Sequence, residues 1–395
     1  MLKRNCGLRP MGNQEQDHCM NTPHTRRRFL AASAAIAAPQ ILLRSSSGGE
    51  ILEVKTISQQ SNYYHGWPTL GRRSNGELVV AWSGRRVGHV CPFGTVESMH
   101  SRDNGKSWSF PRTIHDSLID DRDAGFLETK EGTIIVTSFT SLAYETHGYL
   151  EKNTDDPTWQ AAHNRIPEKE ARQNELGCWA YRSTDGGKTF SNRINTVVNS
   201  PHGPTQLADG RLLYLGKELW TENKRIGAAV SEDDGLTWKW ISEIPTREGD
   251  DPTKSYHELH QVECADGSIL AQIRNHNKNN AGETLQCRST DGGKTWSTPK
   301  EIGVWGLPSH LLRLRDDRII MSYGYRRKPY GNQARITEDN GKSWSDPLTI
   351  SDDGVSGDLG YPSTVELDDG SLVTVWYEKM PDSPMAKLRQ ATWKC

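Results

Sequence analysis

Ionisable residues gather at two recurrent places in this chain. One set holds Tyr64, His65, Asp121, Arg122, Asp123, His202, Tyr256, His257, Glu258, His260, His310, Asp358 and Tyr361. The other holds Arg85, Arg86, His89, Lys217, Arg274, His276, Tyr325, Arg326, Arg327 and Glu378. Phenols, carboxylates and imidazoles of this kind can donate protons, accept them or attack a substrate, and the arginines can grip an anion. A single His at a strand end is usually a satisfied hydrogen-bonder, and a single Arg usually a surface charge. The information lies in their convergence. The histidines are scattered without helical metal spacing, so nothing here calls for a metal or another cofactor.

The elements that must position these groups announce themselves by repetition. Ser289-Thr290-Asp291-Gly292-Gly293-Lys294-Thr295-Trp296 recurs in altered form as Ser101–Trp108, Ser183–Phe190, Ser231–Trp238 and Thr337–Trp344. Each copy reads Ser/Thr-x-Asp-x-Gly-x-Ser/Thr-aromatic, an Asp box. The Asp accepts hydrogen bonds from amides just ahead of it, the Gly takes a backbone angle other residues resist, and the aromatic anchors the turn. Five copies indicate a propeller or a solenoid.

Between the boxes, hairpin signals punctuate six units at Asn75-Gly76, Glu131-Gly132, Asp209-Gly210, Asp266-Gly267, Asp316-Asp317 and Asp369-Gly370. Except across the second unit, they are spaced by about 50–57 residues, room for four strands. The sixth unit has no Asp box and one strand too few. The apolar segment Ile51–Ile57 can complete it and so remove two open sheet edges. The expected fold is therefore all-β: one six-bladed β-propeller over residues 50–395, with the N-terminal strand closing the last blade. In such a ring the first strand of each blade lines the axis. Its start and the end of the second strand share one face, where ligands usually bind. The two ionisable sets occupy those positions. The second unit also carries an insertion at 141–176, with a short helix expected at Pro167–Glu175, on the face opposite the Asp boxes.

Composition bounds the partners. Lys+Arg number 48 against Asp+Glu 50, which gives no electrostatic reason for a nucleic-acid partner. Ahead of the repeats, Thr25-Arg26-Arg27-Arg28-Phe29-Leu30 and the small apolar run Ala31–Ala38 read as a twin-arginine export signal. Residues 1–49 are then a processed leader, and the product is periplasmic or secreted. The run is too short for a membrane span. Cys91, Cys178, Cys264, Cys287 and Cys395 show no CxxC spacing. No disulfide framework is expected, although Cys264 and Cys287 fall within one unit and could pair.

With these residues in view, the chain resembles the sialidase (neuraminidase) superfamily over nearly its whole length after the leader. That resemblance implies cleavage of a terminal acidic sugar with retention, through a Tyr nucleophile, a Glu as its base, an Asp as acid/base and three Arg on the substrate carboxylate. Gly360-Tyr361-Pro362-Ser363-Thr364, with Trp376-Tyr377-Glu378 behind it, is similar to the nucleophile segment. Tyr361 is the implied nucleophile, and Glu378 the carboxylate that steadies an Arg. His257-Glu258 followed by Ile273-Arg274 resembles the base strand and its Arg, with His257 and His202 beside the substrate. Arg326 or Arg327 is the implied further clamp.

Two positions depart from the superfamily pattern. Gly66, in His65-Gly66-Trp67-Pro68, stands where an Arg-Ile-Pro arginine is expected, and Val90 stands where the acid Asp is expected. Asp121, Asp123 and His89 are the candidates for the missing acid, and Arg122 for the missing clamp. A phenol has a pKa of about 10, so it needs a carboxylate to take its proton. A neutral nucleophile also avoids repelling an anionic sugar. Two other functions remain open: a lyase or other uronate-processing enzyme with Tyr361 or a His as base, and a glycan-binding ring without catalysis.

Overall fold

The computed structural model describes residues 49–395; the twin-arginine run and Cys6 and Cys19 lie outside them. Six four-stranded antiparallel sheets form the blades of a propeller. Blade 1 opens with Tyr64–Arg72, blade 2 with Asp120–Glu128, blade 3 with Thr205–Gln206, blade 4 with Tyr256–Glu263, blade 5 with Ser309–Arg313 and blade 6 with Leu359–Glu366. All six contribute to one cavity on the axis, of about 350 Å³, lined by Thr69, Phe126, His202, His260, His310 and Thr364 among others. The first strands thus line the channel, as alternation and connectivity require.

Glu50–Thr56 pairs antiparallel with Ala386–Lys394, Ile51 opposite Trp393 and Val54 opposite Ala391. It is the outer strand of blade 6, so the ring is closed by its two chain ends. Apolar side chains of adjacent blades interdigitate between the sheets. Leu213, Leu215 and Ala228 of blade 3 meet Leu259, Ile273 and Cys287 of blade 4 in one such layer.

The Asp boxes lock blade to blade. In the fourth, Asp291 Oδ1 accepts from the Thr295 amide at 2.9 Å and Oδ2 from its hydroxyl at 2.6 Å. The Gly293 amide donates to Ser289 Oγ at 2.9 Å, with Gly293 at φ 87°. Trp296 then donates its indole N–H to Ser242 of the preceding blade, 3.1 Å away. Trp108 reaches Gln390 of blade 6 and Trp344 reaches Gln286 of blade 4 in the same way, at 2.8 and 3.2 Å. These three boxes therefore both close their own turns and staple their neighbours.

Cys264 and Cys287, which fall within one unit, do not pair: both are buried free thiols. They face opposite sides of blade 4, Cys287 toward blade 3 and Cys264 toward blade 5. The insertion holds four short helices, Ala143–Thr146, Tyr149–Lys152, Pro157–His163 and Lys169–Asn174. It is more than surface decoration. Tyr144 and Trp159 form a small core with Cys91 and Ile119, and the Phe93 ring meets Trp159 edge-on at 5.8 Å.

Candidate active site

Four first strands break register where they reach the channel: between Gly66 and Thr69, Arg122 and Gly125, Tyr256 and Leu259, and Gly360 and Ser363. Trp67, Asp123 and Tyr361 sit inside three of these irregularities, with φ of 54°, 53° and 53°. Such angles are costly for residues with a Cβ and concentrate at functional sites, where the surrounding packing enforces them. Here each one re-aims a large or charged side chain at the axis.

Tyr361 is the centre. Its hydroxyl donates to Glu258 Oε1 at 2.7 Å, across the ring from blade 6 to blade 4. Arg274 Nη1 donates to the same Glu258 oxygen at 2.8 Å and to the Tyr361 hydroxyl oxygen at 3.0 Å. Burial alone would raise the Glu258 pKa, but Arg274 and His257 outweigh it and hold the carboxyl down at about 2. Burial and then Glu258 push the Tyr361 phenol well above its ordinary value, against the pull of Arg274. The resting pair is thus a neutral phenol donating to an ionised carboxylate. That is the arrangement a phenolic nucleophile needs in order to lose its proton as it attacks.

Arg274 spends its Nε on His276 Nε2 at 2.8 Å, which fixes His276 as an acceptor there. Arg326 is held by the Leu359 carbonyl at 3.0 Å, with its guanidinium 5.7 Å from the centre of the Tyr361 ring. Arg327 instead lies over Trp305 at 4.5 Å, so Arg326 is the one on the channel. Arg274 and Arg326 therefore flank Tyr361 and can hold a carboxylate between them.

The strand break at Asp123 separates two carboxylates that regular alternation would have kept together. Asp121 is completely buried and accepts the Ser117 amide at 2.7 Å, away from the channel. Asp123 makes no hydrogen bond within the described residues. Burial raises its pKa to about 7, partly opposed by Arg122, with Glu258 adding to the rise. Asp123 therefore feels the charges of Glu258 and Arg274 as a carboxyl whose pKa is raised toward neutrality.

Arg122 stacks over Trp67 at 4.2 Å and donates to the His89 carbonyl at 3.1 Å. His89 lies at the mouth, its Nδ1 3.0 Å from Asp358 Oδ1. His257 pairs edge-on with His276 at 4.9 Å beside Glu258. His202 sits on the axis below, 6.3 Å from the Tyr361 ring and edge-on to His260 and His310. Among the described residues no group of three His, Cys, Asp or Glu is placed to hold a metal.

Glu378 is not at the channel. It is buried behind blade 6, where it accepts from Trp376 Nε1 at 2.8 Å and from Arg389. With Gly66 at the position of the first arginine, no clamp remains there for it to steady. The residues that sequence reasoning left unassigned are Tyr64, Asp358 and Tyr377. Tyr64 and Tyr377 both donate to Asp358 Oδ1, at 2.8 and 3.2 Å. Two of the three stood in the lining set, but their meeting depends on contacts between chain ends.

Comparison with known proteins places this site in a family. Residues 164–374 match the BNR repeat-like domain family. The chain belongs to that family of BNR-repeat propellers, within the sialidase superfamily. It is 26% identical over 242 residues to a sialidase of Clostridium perfringens, covering 49% of this chain and 63% of that protein's length. A protein of unknown function from Dyadobacter fermentans superposes with a TM-score of 0.72 at 24% identity, covering 88% of this chain and 100% of the other. A variant of the NanB sialidase of Streptococcus pneumoniae superposes with a TM-score of 0.61 at 14% identity, covering 89% and 71%. At these identities the structural matches establish the fold alone.

Proposed function

We propose that the chain is a retaining glycoside hydrolase acting on a terminal acidic sugar, sialic acid or a related anionic sugar. One observation carries this reading: Tyr361 donates to Glu258 at 2.7 Å while Arg274 touches both. In the first half of the reaction Tyr361 Oη attacks the anomeric carbon and its proton passes to Glu258. Asp123 protonates the departing oxygen, and Arg274 and Arg326 hold the sugar carboxylate. The pKa of about 7 at Asp123 supports the acid role, since a useful acid must still carry its proton near working pH. Arg122, propped on Trp67, takes the place of the arginine that Gly66 lacks. The relatives named as sialidases support the substrate class. The twin-arginine run supports export to the periplasm or beyond. Among the described residues no helix is long and apolar enough to cross a membrane.

The test is incubation of the purified protein with a panel of acidic glycans, with products read by mass spectrometry. Release of a terminal acidic monosaccharide that depends on Tyr361 supports the reading. A product absorbing in the near ultraviolet would instead identify a lyase. Retention of glycan without any product would identify a binding ring.

A further inference from the structure

We infer that His89, oriented by Asp358, is the general base of the second half-reaction, so that proton donation and proton acceptance are divided between Asp123 and His89. This rests on the reading of Tyr361 as the nucleophile.

The imidazole is held in one tautomer. Asp358 Oδ1 receives Tyr64 Oη at 2.8 Å, Tyr377 Oη at 3.2 Å and His89 Nδ1 at 3.0 Å. Tyr64 Oη also lies 2.9 Å from His89 Nδ1. An ionised carboxylate only accepts, so Nδ1 carries the hydrogen and the lone pair is on Nε2. Asp358 stays ionised: burial raises its pKa, but hydrogen bonds from His89 and Tyr64 hold it well below the usual range. The His89 pKa lies below its ordinary value, which favours a neutral imidazole. Burial is the largest influence, and Arg122 and Arg86 add to it against Asp358. The Asp123 pKa is raised while that of His89 is lowered, opposite shifts of the kind that separate an acid from a base.

The position is also built. The His89 carbonyl receives Arg86 Nη2 at 3.0 Å and Arg122 Nη1 at 3.1 Å. Arg86 is itself locked to Asp120 at 2.6 Å in a fully buried pair. Two residues on, Cys91 is buried among the insertion's Tyr144 and Trp159. The insertion therefore braces the loop that carries His89. The side chain remains 46% exposed, against 21% for Asp358. A chain of rings leads from it to the nucleophile: His89 to Trp67 at 5.1 Å, Trp67 to Tyr377 at 6.1 Å, and Tyr377 to Tyr361 at 5.8 Å.

The steps balance. A water oxygen bonds to the anomeric carbon as the bond from that carbon to Tyr361 Oη breaks. The water proton passes to His89 Nε2, and Tyr361 recovers its proton from Glu258. The imidazolium then returns a proton to the Asp123 carboxylate left by the first half, which restores the resting state.

The test uses 4-nitrophenyl glycosides of sialic acid and glucuronic acid, whose leaving group needs little acid assistance. His89→Gln should release a burst of nitrophenol and then turn over about 10²–10⁴-fold more slowly than wild type. A glycosyl adduct on Tyr361 should accumulate by intact-mass and peptide analysis. Azide, a nucleophile that needs no base, should restore turnover and yield the glycosyl azide. Asp358→Asn should show the same burst in weaker form. A merely structural role for His89 would give neither adduct nor azide rescue, and that result overturns the proposal. If His89→Gln turns over like wild type while Tyr361→Phe is inactive, only the assignment of the base fails. If Tyr361→Phe is as active as wild type, the nucleophile reading fails and this assignment with it.

Discussion

The two sides of the channel mouth are built on different logic. On the side of blades 4 to 6, Tyr361, Glu258 and Arg274 form a closed set of short hydrogen bonds, with Arg326 beside it. Tyr361, Glu258 and Arg274 are joined to one another there, and each lies in a segment that resembles the superfamily pattern. On the side of blades 1 and 2 that pattern is gone. Gly66 and Val90 stand where an Arg and an Asp are expected, and an aromatic pillar, an unpaired Asp123 and a carboxylate-held His89 occupy the space. In the proposed mechanism the first side supplies the nucleophile. In that mechanism the second side handles protons and the leaving group, and it is where this chain departs from the superfamily pattern. Substrate identity should therefore be sought in the residues around Trp67 and His89, not in those around Tyr361.

The comparison breaks most sharply at the nucleophile. Tyr361→Phe removes only one oxygen from a buried ring, so the fold should persist while turnover falls by at least about 10³-fold. Circular dichroism with a thermal melt, beside product release, checks both halves. Asp123→Asn should cost about 10²–10⁴-fold on substrates with poor leaving groups and much less on nitrophenyl glycosides. The pH profile sharpens the same point. The protonated form of Asp123 is the active one, so activity should fall as pH rises through about 7. That limb should vanish in Asp123→Asn. The sign for stability is the same. The native carboxyl keeps its proton between about pH 4 and 7 while the unfolded one has lost it, so Asp123 should make stability decline across that window. The variant should flatten the decline in denaturant titrations.

Smaller effects test the matching side. Arg274→Lys keeps the charge but cannot contact Glu258, Tyr361 and His276 together. Both the Michaelis constant and the turnover number should worsen, each by about 10- to 100-fold, because two charge-assisted hydrogen bonds are lost. A pure loss of affinity would mean that Arg274 only clamps substrate. Least of all should Asp291→Ala matter to chemistry. Its box staples blade 4 to blade 3, so stability should drop by about 1–2 kcal/mol with unchanged turnover of the folded fraction.

The same contrast explains what could be read from the chain alone. The Asp boxes and the orphan strand Ile51–Ile57 are local patterns, and both propeller and closure follow from them. Tyr361, Glu258 and Arg274 were legible because each lies inside a segment of recognisable pattern. Asp121 and Asp123 could not be told apart. Their separation depends on the irregularity at Asp123, where φ is 53° and no hydrophobic alternation signals it. Glu378 has its expected setting of Trp376-Tyr377, but with Gly66 where the arginine is expected it is held by Arg389 and Trp376 instead. The Tyr64–Asp358 bond joins residues 294 apart, a meeting that exists only because the ring closes on itself. The insertion's role was hidden for a similar reason: Trp159 packs on Cys91 and Phe93 across a gap in sequence that only the fold removes.

The central claim is that Tyr361 becomes covalently bonded to the sugar. The direct measurement is incubation of the wild-type protein with a fluorinated sialosyl fluoride, whose ring fluorine slows both half-reactions while fluoride leaves readily, followed by peptide mass spectrometry. The account predicts a mass increase of one glycosyl unit on the peptide that contains Tyr361, absent in Tyr361→Phe. Turnover of sialosides with no adduct on that peptide, or with the adduct on another residue, would contradict it.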